Sequence, residues 1–357
     1  MGTWWGWLLR RLVLAPLMPV LAVVAVALWV LGVIVSLVGC PVAALVRHRR
    51  VRWRPVRVLS MAVVYLVGET VCLVVCLVLW CACGCGRRMR SAWSQRCHDA
   101  LLTRFLGALL AVAGRLFGFR LEVDEPDRHP EDLLRVDHEE PVIVLARHAG
   151  PGASFALVHL LLSRYRRHVK VVLKEQLRLD PAVDLLLTRT GCTWVGSARG
   201  QAARVGAAAA GLQPRDALLL FPEGADWTPV RHLRAVARLH AKGLVREAQR
   251  ALAMPHVLPP RPAGTVAALR AAPHADVLVF THTGHDALLD VRSAWQALPL
   301  LEPLRMAWWR AVGTELPDAD ADEVNAWLQQ TWVDIEAWVS EQTDLSGLRA
   351  QRSRSPR

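Results

Sequence analysis

A chain of 357 residues that is 53% hydrophobic, with a formal charge of +12 and a pI near 10.2, is too long and too apolar for one ordinary soluble domain. The basicity does not point to nucleic acid, because no zinc-finger spacing or other nucleic-acid motif accompanies it. Arginine outnumbers lysine and clusters beside the apolar runs, so anionic membrane lipids are the expected partner.

The excess of apolar residues lies at the N-terminus. From Leu12 to Val46 there is no Asp, Glu, Lys, Arg or His, and from Val58 to Gly86 the only charge is Glu69. Both runs exceed the ~20 residues that cross a bilayer as a helix, and both are too long for the core of a cleavable signal peptide. Residues 1–90 therefore read as a membrane anchor with two apolar helical segments. Arginines flank every end: Arg10 and Arg11, then Arg47 to Arg57, then Arg87, Arg88 and Arg90. Two ordinary spans would put the richest cluster outside, against the positive-inside rule. The alternative is a pair of re-entrant hairpins, broken at Pro16, Pro19, Gly32, Gly39 and Gly68, that keeps all basic segments on one face. The expected location is a bacterial inner membrane, with the soluble domain facing the cytoplasm.

Cys81-x-Cys83-x-Cys85 lacks the spacing of a zinc site. It reads as small apolar filler, with S-acylation as the other reading, and no metal site or disulfide framework is expected. Residues 91–119 carry Trp93, Cys97, Leu101, Leu102, Phe105 and Leu109 at spacings of three and four, the pattern of an amphipathic linking helix. Such a helix lies in the headgroup plane or packs on the domain that follows.

Residues 120–316 read as an α/β domain with a mostly parallel or mixed sheet flanked by helices. Strands are expected at 120–123, 141–146, 169–174, 193–195, 217–221 and 276–282, with helices between them at 154–163, 183–189, 201–212, 230–242 and 264–271. Residues 317–343 follow as a helix that opens with Asp318 and Asp320. It has Val324, Trp327, Leu328, Ile335, Trp338 and Val339 on one face, which reads as core. Residues 344–357 read as a disordered basic tail.

Two stretches carry chemistry. In Pro141 to Leu162 an apolar run stops at Arg147-His148, Gly150-Pro151-Gly152 forces a turn, and Ser154 is placed to cap the next helix. His148 thus sits at the carboxyl end of a strand, where open α/β sheets place ligands. The plain alternative is a histidine bonded to a loop carbonyl. In Leu218 to Gly224 a second apolar run ends at Phe221-Pro222-Glu223-Gly224 and presents Glu223 at the same edge. A base and a carboxylate there suit activation of a hydroxyl nucleophile, although Glu223 taken alone is more often a helix N-cap neighbour than a catalytic group.

Taken in order, these blocks resemble the lysophospholipid acyltransferase family, typified by 1-acylglycerol-3-phosphate acyltransferase. They are Arg147-His148 to Ser154, Val172-Leu173-Lys174-Glu175-Gln176-Leu177, Gly191 to Val195, Phe221-Pro222-Glu223-Gly224 and Val257-Leu258-Pro259-Pro260-Arg261. The resemblance implies that His148 takes a proton from an acceptor hydroxyl, which attacks an acyl thioester of coenzyme A or acyl carrier protein. It implies no bound cofactor, and it makes Lys174, Phe221, Pro222, Gly224 and Arg261 the substrate-binding candidates, with Arg199 and Arg231 as further cations. Three motif positions differ from the family. Ala153 stands where its aspartate would orient the imidazole, Gly196-Ser197 replaces one arginine, and Ala225-Asp226 ends the Phe-Pro-Glu-Gly block. Glu223 is the expected carboxylate partner of His148, with Asp226 as the other acid in reach of the same turn. The expected activity is transfer of a fatty acyl group to a lysophospholipid or related amphiphile, and the alternative is a non-catalytic lipid-binding relative.

Overall fold

The computed structural model describes residues 4–38, 53–124, 139–150, 152–196, 200–286, 288, 291–311 and 320–354. The basic residues Arg47 to Arg52, and Pro151, Ser197, Arg199 and Asp318, lie outside the described residues. The chain forms two compact units. One comprises Met1–Phe119, Leu173–Gly196 and Trp295–Leu301, and the other Arg120–Val172, Ser197–Ala294 and Glu302–Arg357. The sheet domain begins at Arg120, but Leu173–Gly196, expected inside it, clusters with the N-terminal helices instead.

The first unit is built on three helices, α1 (Gly6–Leu37), α2 (Arg54–Ala82) and α3 (Ala92–Phe117), each long and apolar enough to cross a membrane. Two such helices were expected; α3, expected as an amphipathic linker, is the third. Ser91 caps it by accepting from the Ser94 N–H at 3.3 Å, and Gly118 ends it in the left-handed region at φ 78°. Leu102, Leu106 and Leu109 form its buried stripe.

The polar residues of this unit find one another. Asp184, on the short helix α4 (Pro181–Arg189), is fully buried and takes Arg10 at 3.0 Å, Arg11 at 3.0 Å and Arg178 at 2.7 Å. Asp180 caps α4 through the Val183 N–H at 2.9 Å and also accepts the Tyr65 hydroxyl. Glu69, the lone charge of the second apolar run, takes the Ala182 N–H at 3.3 Å, at the positive end of α4. Arg189 reaches back to the Cys76 carbonyl at 2.6 Å. Removing one member of a buried cluster of this kind costs roughly 3–5 kcal/mol, because the partners stay buried and uncompensated.

The sheet has seven strands: β1 (Leu121–Asp124), β2 (Val142–Ala146), β3 (His168–Lys174), β4 (Thr193–Val195), β5 (Asp216–Leu220), β6 (Asp276–Thr283) and β7 (Leu304–Ala311). Their order is β1-β7-β6-β2-β5-β3-β4. β2 runs parallel to β5 and to β6, while β7 is antiparallel to β6 and parallel to β1, so the sheet is mixed. β7 was not expected from the sequence.

The central strands are buried along their whole length, as both faces are covered by helices. On one face Ile143, Leu145, Leu218, Leu220, Val277 and Val279 join a single core with helices α6 (Gln201–Ala210), α9 (Pro262–Ala271) and α11 (Ala321–Arg354). The other helices that follow β2 in the chain are α5 (Ala153–Ser163), which precedes α4, and α7 (Pro229–Ala241), α8 (Val245–Leu252) and α10 (Val291–Ala297), which come after it. Val324, Leu328, Trp332, Ile335 and Val339 bury one stripe of α11 completely. Trp332 was not among the residues expected there, whereas Trp327 and Trp338 only flank the core. The helix also continues to Arg354, through the stretch expected as a disordered tail.

Candidate active site

Strand register brings the two chemical stretches together. Leu145 of β2 pairs with Leu220 of β5, so both chains leave the sheet side by side at the same edge. They stay paired beyond it: Ala149 bridges Trp227, and the Trp227 N–H donates to the His148 carbonyl at 2.6 Å. His148 is therefore fixed through its backbone before its side chain makes any contact.

Two glycines permit this geometry. Gly150 has φ 72°, and a Cβ there would lie 2.8 Å from the His285 carbonyl oxygen, closer than any side chain tolerates. Gly224 has φ 69° and packs against the Arg261 guanidinium, whose Nη1 would meet an added Cβ at 3.2 Å. The reversal at Gly224 sends the acids on either side of it in different directions.

Glu223 turns inward. It is almost completely buried, and its two oxygens accept the backbone N–H groups of His148 at 3.2 Å and Leu258 at 3.1 Å. Burial pushes its carboxyl up to about 8, against the pull of Arg147 and these two N–H groups, so it is largely uncharged at neutral pH. The expected pairing of Glu223 with the imidazole is thus replaced by a grip on the His148 main chain.

Asp226 takes the imidazole. Its Oδ1 lies 3.1 Å from His148 Nδ1. The Ser154 hydroxyl stands farther off, 3.5 Å from the same nitrogen. A carboxylate accepting from Nδ1–H leaves the lone pair on Nε2, the tautomer a general base requires. The Phe221 ring lies against the imidazole, centroids 4.4 Å apart and tilted by 31°, and limits its rotation. Ser154 does not cap α5 with its side chain; Gly152, at φ 88°, holds the N-cap position. Ala153 is buried, and its small side chain faces no acid's work, since Asp226 arrives from the opposite turn.

Arg147 anchors the layer beneath. Its fully buried guanidinium donates to the His256 carbonyl from Nε at 3.2 Å and from Nη2 at 2.6 Å, and from Nη1 to Asp286 at 3.0 Å and to the His282 carbonyl. His282 Nε2 returns a bond to the Arg147 carbonyl at 3.0 Å, and burial, reinforced by Arg147, pushes its imidazole down to about 3. It is a neutral strut at any physiological pH. Burial alone would raise Asp286, but the Arg147 charge and the hydrogen bonds from Thr283 and Arg147 outweigh it and hold the carboxylate below its ordinary range. His256 Nδ1 in turn meets Glu336 of α11 at 2.7 Å.

Of the expected binding residues, Phe221, Pro222, Gly224 and Arg261 gather here, and the Pro222 carbonyl accepts the Arg261 N–H at 2.9 Å. Lys174 ends β3 and belongs to the first unit. Among the described residues no three His, Cys, Asp or Glu side chains converge as a metal centre needs. Arg147, His256 and Asp286 were missed by sequence reasoning. The one signal for Arg147 was a cation directly after a wholly apolar strand.

Residues 120–262 match a family model described as Acyltransferase. That segment contains His148, Ala153, Glu223, Asp226 and Arg261, and the match supports an acyltransferase function. No curated protein matches the chain.

Proposed function

We propose that the chain is a membrane-bound O-acyltransferase that moves a fatty acyl group from an acyl thioester to a hydroxyl of a lysophospholipid or related amphiphile. The observation that carries this reading is the Asp226–His148 contact of 3.1 Å inside the segment that matches the Acyltransferase model. His148 Nε2 takes the proton of the acceptor hydroxyl as its oxygen attacks the thioester carbonyl, and Asp226 stabilises the resulting imidazolium through Nδ1–H. When the tetrahedral intermediate collapses, the C–S bond breaks, the ester remains on the acceptor, and the imidazolium returns its proton to the departing thiolate. Glu223 acts as a positioning residue, since it accepts the His148 backbone N–H rather than touching the ring, and Arg147 supports it from beneath by holding the His256 and His282 carbonyls.

The three long apolar helices are compatible with a membrane location, where an acyl chain and an amphiphilic acceptor both partition. A bacterial inner membrane with the domain toward the cytoplasm belongs to this reading. The test is transfer of a labelled acyl group from acyl-coenzyme A or acyl carrier protein to a panel of lysolipids by the purified full chain. His148→Ala should abolish transfer with lipid binding retained, and unchanged turnover in that variant removes His148 from the mechanism.

A further inference from the structure

Behind the Gly224 turn lies a cavity of about 630 Å³ that the acyl-transfer chemistry does not use. One wall is α7, whose Arg231, Arg234 and Arg238, followed by Lys242, recur at spacings of three and four and so share a face. Arg261 closes the other side. Ala235, Leu239, Leu258 and Pro259 supply an apolar lining.

Arg231, Arg234, Arg238 and Lys242 are exposed, as on an ordinary solvated helix face. Three observations set this face apart. The segment Pro229–Ala241 contains no Asp or Glu, so its like charges repel with nothing on the helix to offset them. Among the described residues none of the five cations is in an ion pair with a carboxylate. Among the described residues the only acid lining the cavity is Glu223, which burial keeps largely uncharged at neutral pH. The cations instead surround a space large enough for a small molecule.

We propose that this cavity binds the phosphates of a small organic phosphate, the nucleotide end of an acyl-coenzyme A donor. The choice of coenzyme A rests on the acyltransferase reading; the phosphate site rests on the cavity itself. Guanidinium groups match phosphate oxygens in pairs, and the apolar lining suits the non-phosphate part of the ligand. The site also touches the catalytic turn. Arg231 Nη1 donates to the Asp226 carbonyl at 3.1 Å, and the Arg261 guanidinium packs on Gly224, so a bound phosphate presses on the segment that carries the carboxylate of His148.

The test is calorimetric titration of the full chain in detergent with coenzyme A, 3′-dephospho-coenzyme A and pantetheine, and with lysophosphatidic acid in mixed micelles. Coenzyme A should bind best and pantetheine worst. The Arg234→Ala/Arg238→Ala double variant should lose coenzyme A affinity by roughly 10²-fold, as two charge-assisted contacts disappear. Arg246→Ala/Arg250→Ala on the exposed face of α8 removes the same charge away from the cavity, and should leave affinity unchanged. Equal losses in the two double variants, or wild-type affinity in the first, overturn the phosphate site. A loss confined to lysophosphatidic acid overturns the donor assignment, because the phosphate is then that of the acceptor headgroup. A wild type that binds coenzyme A yet transfers no acyl group refutes acyl transfer and leaves the phosphate site standing.

Discussion

Asp226→Asn isolates the charge that stabilises the His148 imidazolium while keeping a side chain of the same shape. In a buried Ser-His-Asp triad the equivalent change lowers kcat by about 10⁴. A smaller loss is expected here, because the Asp226 side chain is 50% exposed and water screens it. One charge-assisted hydrogen bond nets about 1.5–3 kcal/mol, and screening puts this one in the lower half of that range. At about 1.36 kcal/mol per tenfold in rate, kcat should fall about 10- to 50-fold. The assay follows free thiol release from acyl-coenzyme A against pH with a saturating lysolipid. The acidic limb of kcat, where His148 gains its proton, should move to lower pH in the variant, since an imidazolium without its carboxylate is less favourable. A kcat within twofold of wild type and an unmoved limb would refute the pairing. A loss near 10⁴ would refute the screening argument instead, and would mean that bound substrate seals Asp226 from water.

Three other outcomes follow from the same geometry. Ala153→Asp should change wild-type turnover little but restore activity to Asp226→Ala, because residue 153 follows the first turn while the acid in place comes from the second; no recovery in the double variant would place residue 153 out of reach of the imidazole. Burial holds the folded pKa of Glu223 near 8 against 4.5 for the free side chain, so its contribution to stability is complete below about pH 4.5 and is lost as pH rises through about 8, on the order of 5 kcal/mol in all. Unfolding midpoints between pH 5 and 9 should show this slope in the wild type and a flatter one in Glu223→Gln; equal slopes would show that Glu223 ionises freely in the fold. The full-length protein should resist alkaline carbonate extraction from membranes, and release by that wash would mean that α1, α2 and α3 are not integral.

The central strands were legible because a fully buried parallel strand is written as an unbroken apolar run, such as Val142–Ala146 or the Ala217-Leu218-Leu219-Leu220 of β5. β7 was not, because Arg305 and Arg310 interrupt its apolar residues and Trp308-Trp309 breaks the alternation; the strand is defined by its partners β6 and β1 rather than by its own pattern. α8 was missed for a related reason, since Val245–Leu252 buries only Ala248 and Ala251. His148 was readable as a polar residue at the end of such a run. Its partner was not, because Glu223 and Asp226 lie on one turn with Gly224-Ala225 between them, and the backbone reversal there, not the residue types, determines which acid faces the imidazole. The membership of Leu173–Gly196 in the helical unit was equally hidden. It depends on Asp184 meeting arginines 174 and 173 positions away.

That last separation sets a timetable for biosynthesis. Arg10 and Arg11 emerge at the head of the first apolar helix, where a charged side chain without a counter-ion is costly in hydrocarbon. Their carboxylate is not translated until Asp184 leaves the ribosome, about ten to thirty seconds later at 5–20 residues per second. Through that interval the two arginines must be kept in headgroups or water, and Glu69 waits likewise for the Ala182 N–H. The helical unit is therefore completed from the middle of the chain, so a ribosome that stalls before residue 184 leaves Arg10 and Arg11 without the carboxylate that pairs them.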